Sequence, residues 1–287
     1  MKKIHYSIAK KRSNSKVIFG IALVILILVS IIIISRITLK KNIQLYSKSA
    51  IFMSTDNRKV LFHKNMHRQL IPGSMTKLMS MLIVFEKIHQ GVLFYSDPIY
   101  ISPKAAGTFA SRAGLYAGEY ISVDDLIKCV FLPSGSDAII ALAEHLYGTE
   151  EKFVDEMNHK VKQMGLKNTH FTNCVGLEDT NHYSSAFDIA SIAVELTSKY
   201  PEVYGYTSMS HTIIRHEDGT DLVLKNTNDM LEFDGIDGLK TGSTPNGGYS
   251  LTMTYNKNKK HLVFVVMESD TLYFRKYDCK KLLSTFQ

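Results

Sequence analysis

Cysteine is scarce in this chain, with three in 287 residues: Cys129, Cys174 and Cys279. So few argue against a fold held by a disulfide framework. Cys129 lies in an apolar run and reads as a buried thiol. Cys174 and Cys279 could pair, but nothing in the sequence says that they do. Acidic side chains are missing from the first 48 residues, which hold ten Lys and Arg. Subtracting these from totals of 34 basic and 27 acidic residues leaves 24 against 27, so the remainder is slightly acidic. The pI near 9.1 therefore belongs to the N-terminal segment, and no nucleic-acid partner is expected. Internal repeats and collagen-like or low-complexity composition are also lacking. No Pro/Gly/Ser-rich linker divides residues 49–287, which implies one domain.

What the N-terminus does contain is an apolar run of eighteen residues, 17–34, interrupted only by Ser30. That exceeds a signal-peptide core and approaches the length that spans a bilayer. No small-x-small cleavage site follows, and six Lys and Arg precede the run. The expected organisation is a cytoplasmic tail (1–16), a single-pass transmembrane signal-anchor (17–35), a tether (36–48) and an extracytoplasmic domain (49–287). A cleaved signal peptide with an atypical site is the alternative.

Beyond the tether, two short apolar runs flank residues 55–58 as in a β-hairpin. His63 and His67 fall at a strand end and in a loop, which disfavours a metal site, and no cofactor is expected. Pro72-Gly73 opens a long apolar helix ended by Gly91. Ser122 caps a helix stopped by Pro133, and a second helix runs over 137–147. Helices follow over 149–164 and from Ser185 to before Pro201. The period then becomes strand-like over 211–216, 235–240, 249–255 and 261–267, before a last helix over 272–285. Strands at both ends with helices between them predict an α+β fold: an antiparallel sheet, built from distant parts of the chain, flanked by helices.

Three patterns carry chemistry. Ser74 and Lys77, three apart at a helix start, share a face, so a desolvated lysine can take the serine's proton. The same pair would also serve as a helix cap and a surface lysine. Ser134-Gly135-Ser136 is a short loop between two buried helices, suited to project a hydroxyl or simply to turn the chain. Lys240-Thr241-Gly242, at a strand edge, offers a charge, a hydroxyl and an open backbone.

In this order the three resemble the penicillin-interacting serine enzymes. Tyr120–Leu126, Ser134–Ala138, Met157-Asn158, Met164–Leu166, His182–Ala186, Asn226–Asn228 and Gly235–Gly242 extend the likeness to the D-alanyl-D-alanine carboxypeptidase family, the low-molecular-mass penicillin-binding proteins. The resemblance covers about residues 45–287 and implies a penicillin-binding transpeptidase-like fold. It implies a serine carboxypeptidase that removes the terminal D-alanine from peptidoglycan pentapeptides through an acyl-enzyme, inhibited covalently by β-lactams. Carried over, Ser74 is the nucleophile, Lys77 its base, and Ser134 the relay to the leaving group. Lys240 and Thr241 meet the substrate carboxylate, with Arg275 either helping them or standing as a solvated helix arginine. The backbone N–H groups of Ser74 and Ser243 form the oxyanion hole.

Two departures stand out. Ser136 replaces the family's asparagine, a shorter group that reaches the substrate backbone less well or through a water. The family's C-terminal β-rich domain and amphipathic helix do not follow the last helix. The rival readings are a D,D-transpeptidase or endopeptidase of the same chemistry and a weakly catalytic scaffold or β-lactam sensor. A class A β-lactamase is disfavoured, because Glu178-Asp179-Thr180-Asn181 does not look like its deacylating glutamate motif.

Overall fold

The computed structural model describes residues 19–30, 43–257 and 260–286. It divides into two units, 1–44 and 45–287. In the first, residues 19–30 of the apolar run form an exposed helix, α1. The ends of the expected membrane span, the basic tail and most of the tether lie outside the described residues. Among the described residues no helix is long and apolar enough to cross a membrane.

The second unit begins at Leu45, four residues before the expected boundary. Leu45 is buried, and the N–H groups of Tyr46 and Ser47 donate to Asp278 at 3.0 and 2.7 Å. Its centre is a five-stranded antiparallel sheet in the order β2-β1-β9-β8-β7. These strands are β1 (Ser49–Ser54), β2 (Val60–Lys64), β7 (Ile236–Thr244), β8 (Gly248–Lys257) and β9 (Lys260–Ser269). The first and last strands of the chain are thus neighbours, as the strand pattern predicts. Strands β1 and β9 are near-continuously apolar because both of their faces are covered. Helix α7 (Ala186–Lys199) packs on β1 and β9, and α9 (Leu272–Phe286) on β8 and β9. Strand β7 is an edge.

The other helices form a lobe around α2 (Lys77–His89), whose first nine residues are all buried. A helix apolar on every side belongs at a core's centre, and α5, α6 and α7 surround it. The lobe contains α3 (Pro103–Ala106), α4 (Val123–Phe131), α5 (Ser136–Tyr147) and α6 (Glu150–Gln163), with the short pair β3 (Pro98–Tyr100) and β4 (Tyr120–Ser122). Ser122, Thr149 and Ser185 each accept from the N–H three residues on, capping α4, α6 and α7. Such caps contribute about 1 kcal/mol each. Among the elements that escape the sequence reading are α3, α8 (Val203–Thr207) and β6 (Asp221–Lys225), which pairs with β5 (His211–Arg215). All three cysteines are free and buried, so Cys174 and Cys279 do not pair.

Candidate active site

A 3-10 turn, Gly73–Thr76, leads directly into α2 and sits between the helical lobe and the β7 edge. The contact is backbone on backbone. A Cβ on Gly242 would lie 2.7 Å from the Pro72 carbonyl oxygen, so a side chain there would push the turn off the strand. Sequence reasoning assigned this glycine to substrate access; the structure gives it the further task of seating the turn that carries Ser74.

Ser74 is half-buried and lines a cleft of about 910 Å³. Its Oγ lies 3.0 Å from Lys77 Nζ, the pairing expected from their spacing. Lys77 is fully buried, and its amine also reaches Ser134 Oγ at 3.5 Å and the Val175 carbonyl at 3.1 Å. Ser134 holds a left-handed φ of 66°, a conformation unusual for serine that turns its side chain out between α4 and α5. On its other side, Lys240 Nζ approaches Ser134 Oγ at 2.8 Å. The three motifs therefore meet around one hydroxyl.

Burial lowers the Lys77 amine to about 7, with Cys174 and Asp137 pulling the other way. Lys240 is held well below its ordinary value by burial, then by Lys77. Two buried amines flanking one oxygen do not both stay charged. Lys77 is thus partly neutral at pH 7.

Thr241 lines the cleft, its Oγ1 2.7 Å from that of Thr227. Arg275 also lines it and is buried, donating to Asp229 at 2.5 Å with its Nε unpartnered among the described residues. The solvated alternative for Arg275 is therefore ruled out. Ser243 borders the cleft, and its N–H adjoins the turn that carries Ser74: a Cβ on Gly73 would stand 3.2 Å from Ser243 N.

Ser136 does not line the cleft. It is fully buried at the start of α5, with its Oγ unpartnered among the described residues and its N–H donating to the Ser111 carbonyl. The short side chain stays covered at the helix start.

Several supporting groups have no sequence motif. Asp137 accepts from the N–H groups of Ala113, Gly114 and Leu115 at 2.9–3.2 Å, and Ser111 Oγ donates to the Ser134 carbonyl. Together they stitch one cleft wall to the Ser134 loop. The opposite wall, residues 172–177, is folded by Asn173 Oδ1, which accepts from the N–H groups of Val175, Gly176 and Leu177. His182 pins that wall to the turn. Its Nδ1 accepts from Thr172 N–H, which leaves Nε2–H to donate to Thr76 Oγ1 at 2.8 Å. Burial lowers this histidine to about 4, so it stays neutral. No group of three or more His, Cys, Asp or Glu suited to a metal occurs among the described residues.

A family model described as D-alanyl-D-alanine carboxypeptidase matches residues 36–271. D-alanyl-D-alanine carboxypeptidase DacF of Bacillus subtilis is 39% identical over 238 residues, 83% of this chain but 61% of that protein. The chain thus spans about three-fifths of that relative. Penicillin binding protein 5 of Haemophilus influenzae superposes with a TM-score of 0.79 at 34% identity, over 85% of this chain and 71% of that one. The Streptomyces K15 DD-transpeptidase also gives 0.79, at 25% identity, over 85% of this chain and 97% of the other.

Proposed function

This chain belongs to the D-alanyl-D-alanine carboxypeptidase family, and from that premise we propose that it is itself a serine D,D-carboxypeptidase acting on peptidoglycan stem peptides. The observation that carries the reading is the three-motif contact: Lys77 Nζ 3.0 Å from Ser74 Oγ, and Ser134 Oγ between two buried lysines.

Ser74 Oγ attacks the carbonyl carbon of the penultimate D-alanine while its proton passes to neutral Lys77. The N–H groups of Ser74 and Ser243 hold the oxyanion; losing one such donor typically costs about 3–4 kcal/mol in the barrier. The C–N bond then breaks. The proton moves from Lys77 through Ser134 to the departing D-alanine nitrogen, leaving an ester on Ser74. Water attacks that ester with the same lysine as base, restoring the serine. Thr241, Lys240 and Arg275 receive the terminal carboxylate. A β-lactam enters by the same attack, and its tethered leaving group explains a lasting adduct.

Transfer of the acyl group to an amine is the second reading. It is favoured by the extent of the match to the Streptomyces transpeptidase, nearly all of which this chain covers. Incubating the protein with a pentapeptide, with and without an amine acceptor, separates the two. Free D-alanine with a tetrapeptide product supports the carboxypeptidase, and a new amide with the acceptor supports the transpeptidase. Release of no D-alanine would sink both.

The apolar run at 17–34, preceded by six basic residues, supports an anchor with the N-terminus inside and the activity outside the cell membrane. With the second unit starting at Leu45, residues 36–44 reach at most ~30 Å when extended, which would hold the site near the outer leaflet.

A further inference from the structure

The cleft runs along β7, an edge strand whose outer side pairs with no other strand among the described residues, which is where an extended peptide adds as one more strand. Resting on the carboxypeptidase reading above, the ends of the bound peptide are fixed. Its terminal carboxylate lies at Thr241 and Arg275 and its scissile carbonyl beside Ser74 and Ser243. The acyl part then leads on past Thr244 towards Pro245 and Asn246.

At that far end the cleft has one carboxylate among its described lining residues, Glu178. It is held rather than free to swing. Oε1 accepts from Asn246 N–H at 2.7 Å and from Gly247 N–H at 3.4 Å, and Oε2 from Asn246 Nδ2 at 2.6 Å. Burial acts to raise its pKa, but hydrogen bonds from Thr244, Asn246 and Gly247 outweigh it and hold Glu178 below the ordinary glutamate value. The result is a fixed anion on the acyl side of the nucleophile, with Arg275, the lone cation among the described lining residues, on the leaving-group side.

We propose that Glu178 is a specificity-determining residue that receives a cationic amine on the side chain of the residue preceding D-Ala-D-Ala. Successive peptide residues advance about 3.3 Å along a strand. The third residue from the end therefore lies about 7 Å upstream of the terminal one, and a four-carbon arm carries its ammonium to the rim. The substrate class is a stem peptide whose third residue keeps a free side-chain amine.

The test compares two tripeptides on the full chain in detergent: Nα-acetyl-L-Lys-D-Ala-D-Ala and its Nα,Nε-diacetyl counterpart. D-Alanine release should favour the free amine by about five- to ten-fold in kcat/KM, the size of one half-exposed ion pair. Glu178→Gln keeps a carbonyl for Asn246 and Gly247, and Asn246 can meet the new amide by turning its own over. This variant should reduce the free-amine peptide to the diacetyl rate and leave the diacetyl rate unchanged. Equal rates in the wild type, or an equal loss for both peptides in Glu178→Gln, would overturn the proposal. If neither peptide is turned over, the carboxypeptidase reading fails, and competition with penicillin labelling of Ser74 decides the amine question. The free-amine peptide must then protect better than the diacetyl one, and lose that advantage in Glu178→Gln, or the proposal falls too.

Discussion

At the residue scale the chemistry depends on one amine being neutral where it is ordinarily charged. Lys77 is lowered to about 7 because burial removes its water, so acylation should fall roughly ten-fold per pH unit below about pH 7 and level off above it. A pH profile of penicillin acylation checks this, and a flat profile from pH 5 to 8 would contradict it. Lys77→Gln should lower acylation by about 10³-fold. The same shift enters stability with a definite sign. The unfolded lysine, near 10.5, binds more protons than the folded one between pH 7 and 10.5. Wild type should therefore gain stability relative to Lys77→Met across that window and show no relative gain below it. Paired denaturant titrations at pH 7 and 10 measure the difference. The Ser74–Lys77 pairing was legible because helical spacing alone brings i and i+3 together. The Val175 carbonyl that completes the lysine's contacts was not, since a backbone oxygen carries no sequence signature.

At the scale of elements, the site is held by loops locked against one another. Gly176 has φ +92°, and a Cβ there would stand 1.9 Å from the Gly73 carbonyl oxygen, on the turn that carries Ser74. Gly176→Ala should cost roughly 1–3 kcal/mol of backbone strain. Because the turn itself must move, acylation should slow by about 10²-fold. Thermal melts and labelling rates check both; a variant as stable and as fast as wild type would contradict the account. The capped helices were readable because Ser122, Thr149 and Ser185 act on N–H groups three residues away. Strand β6 was not, because it is short and mostly exposed, with Leu224 its one buried residue. The burial of Ser136 was also hidden: a motif fixes the order of residues, but the path of the loop decides which side chain emerges.

At the scale of the whole molecule, the antiparallel sheet joins residues 49–54 to 260–269 and so sets β7 at an edge, open to a peptide and backed by the helical lobe. The strand pattern foretold that closure, while the membrane span rests on composition alone. The full chain expressed in bacteria should stay with membranes after an alkaline carbonate wash; release into the wash would contradict the anchor. The central claim is that Ser74 is a nucleophile activated by Lys77 beneath a β-lactam-accepting cleft. The most direct test is to incubate the full chain with benzylpenicillin and weigh the intact protein and its peptides by mass spectrometry. The account predicts one penicilloyl adduct on Ser74, absent in Ser74→Ala. An unlabelled folded protein, or the same adduct in Ser74→Ala, would contradict it.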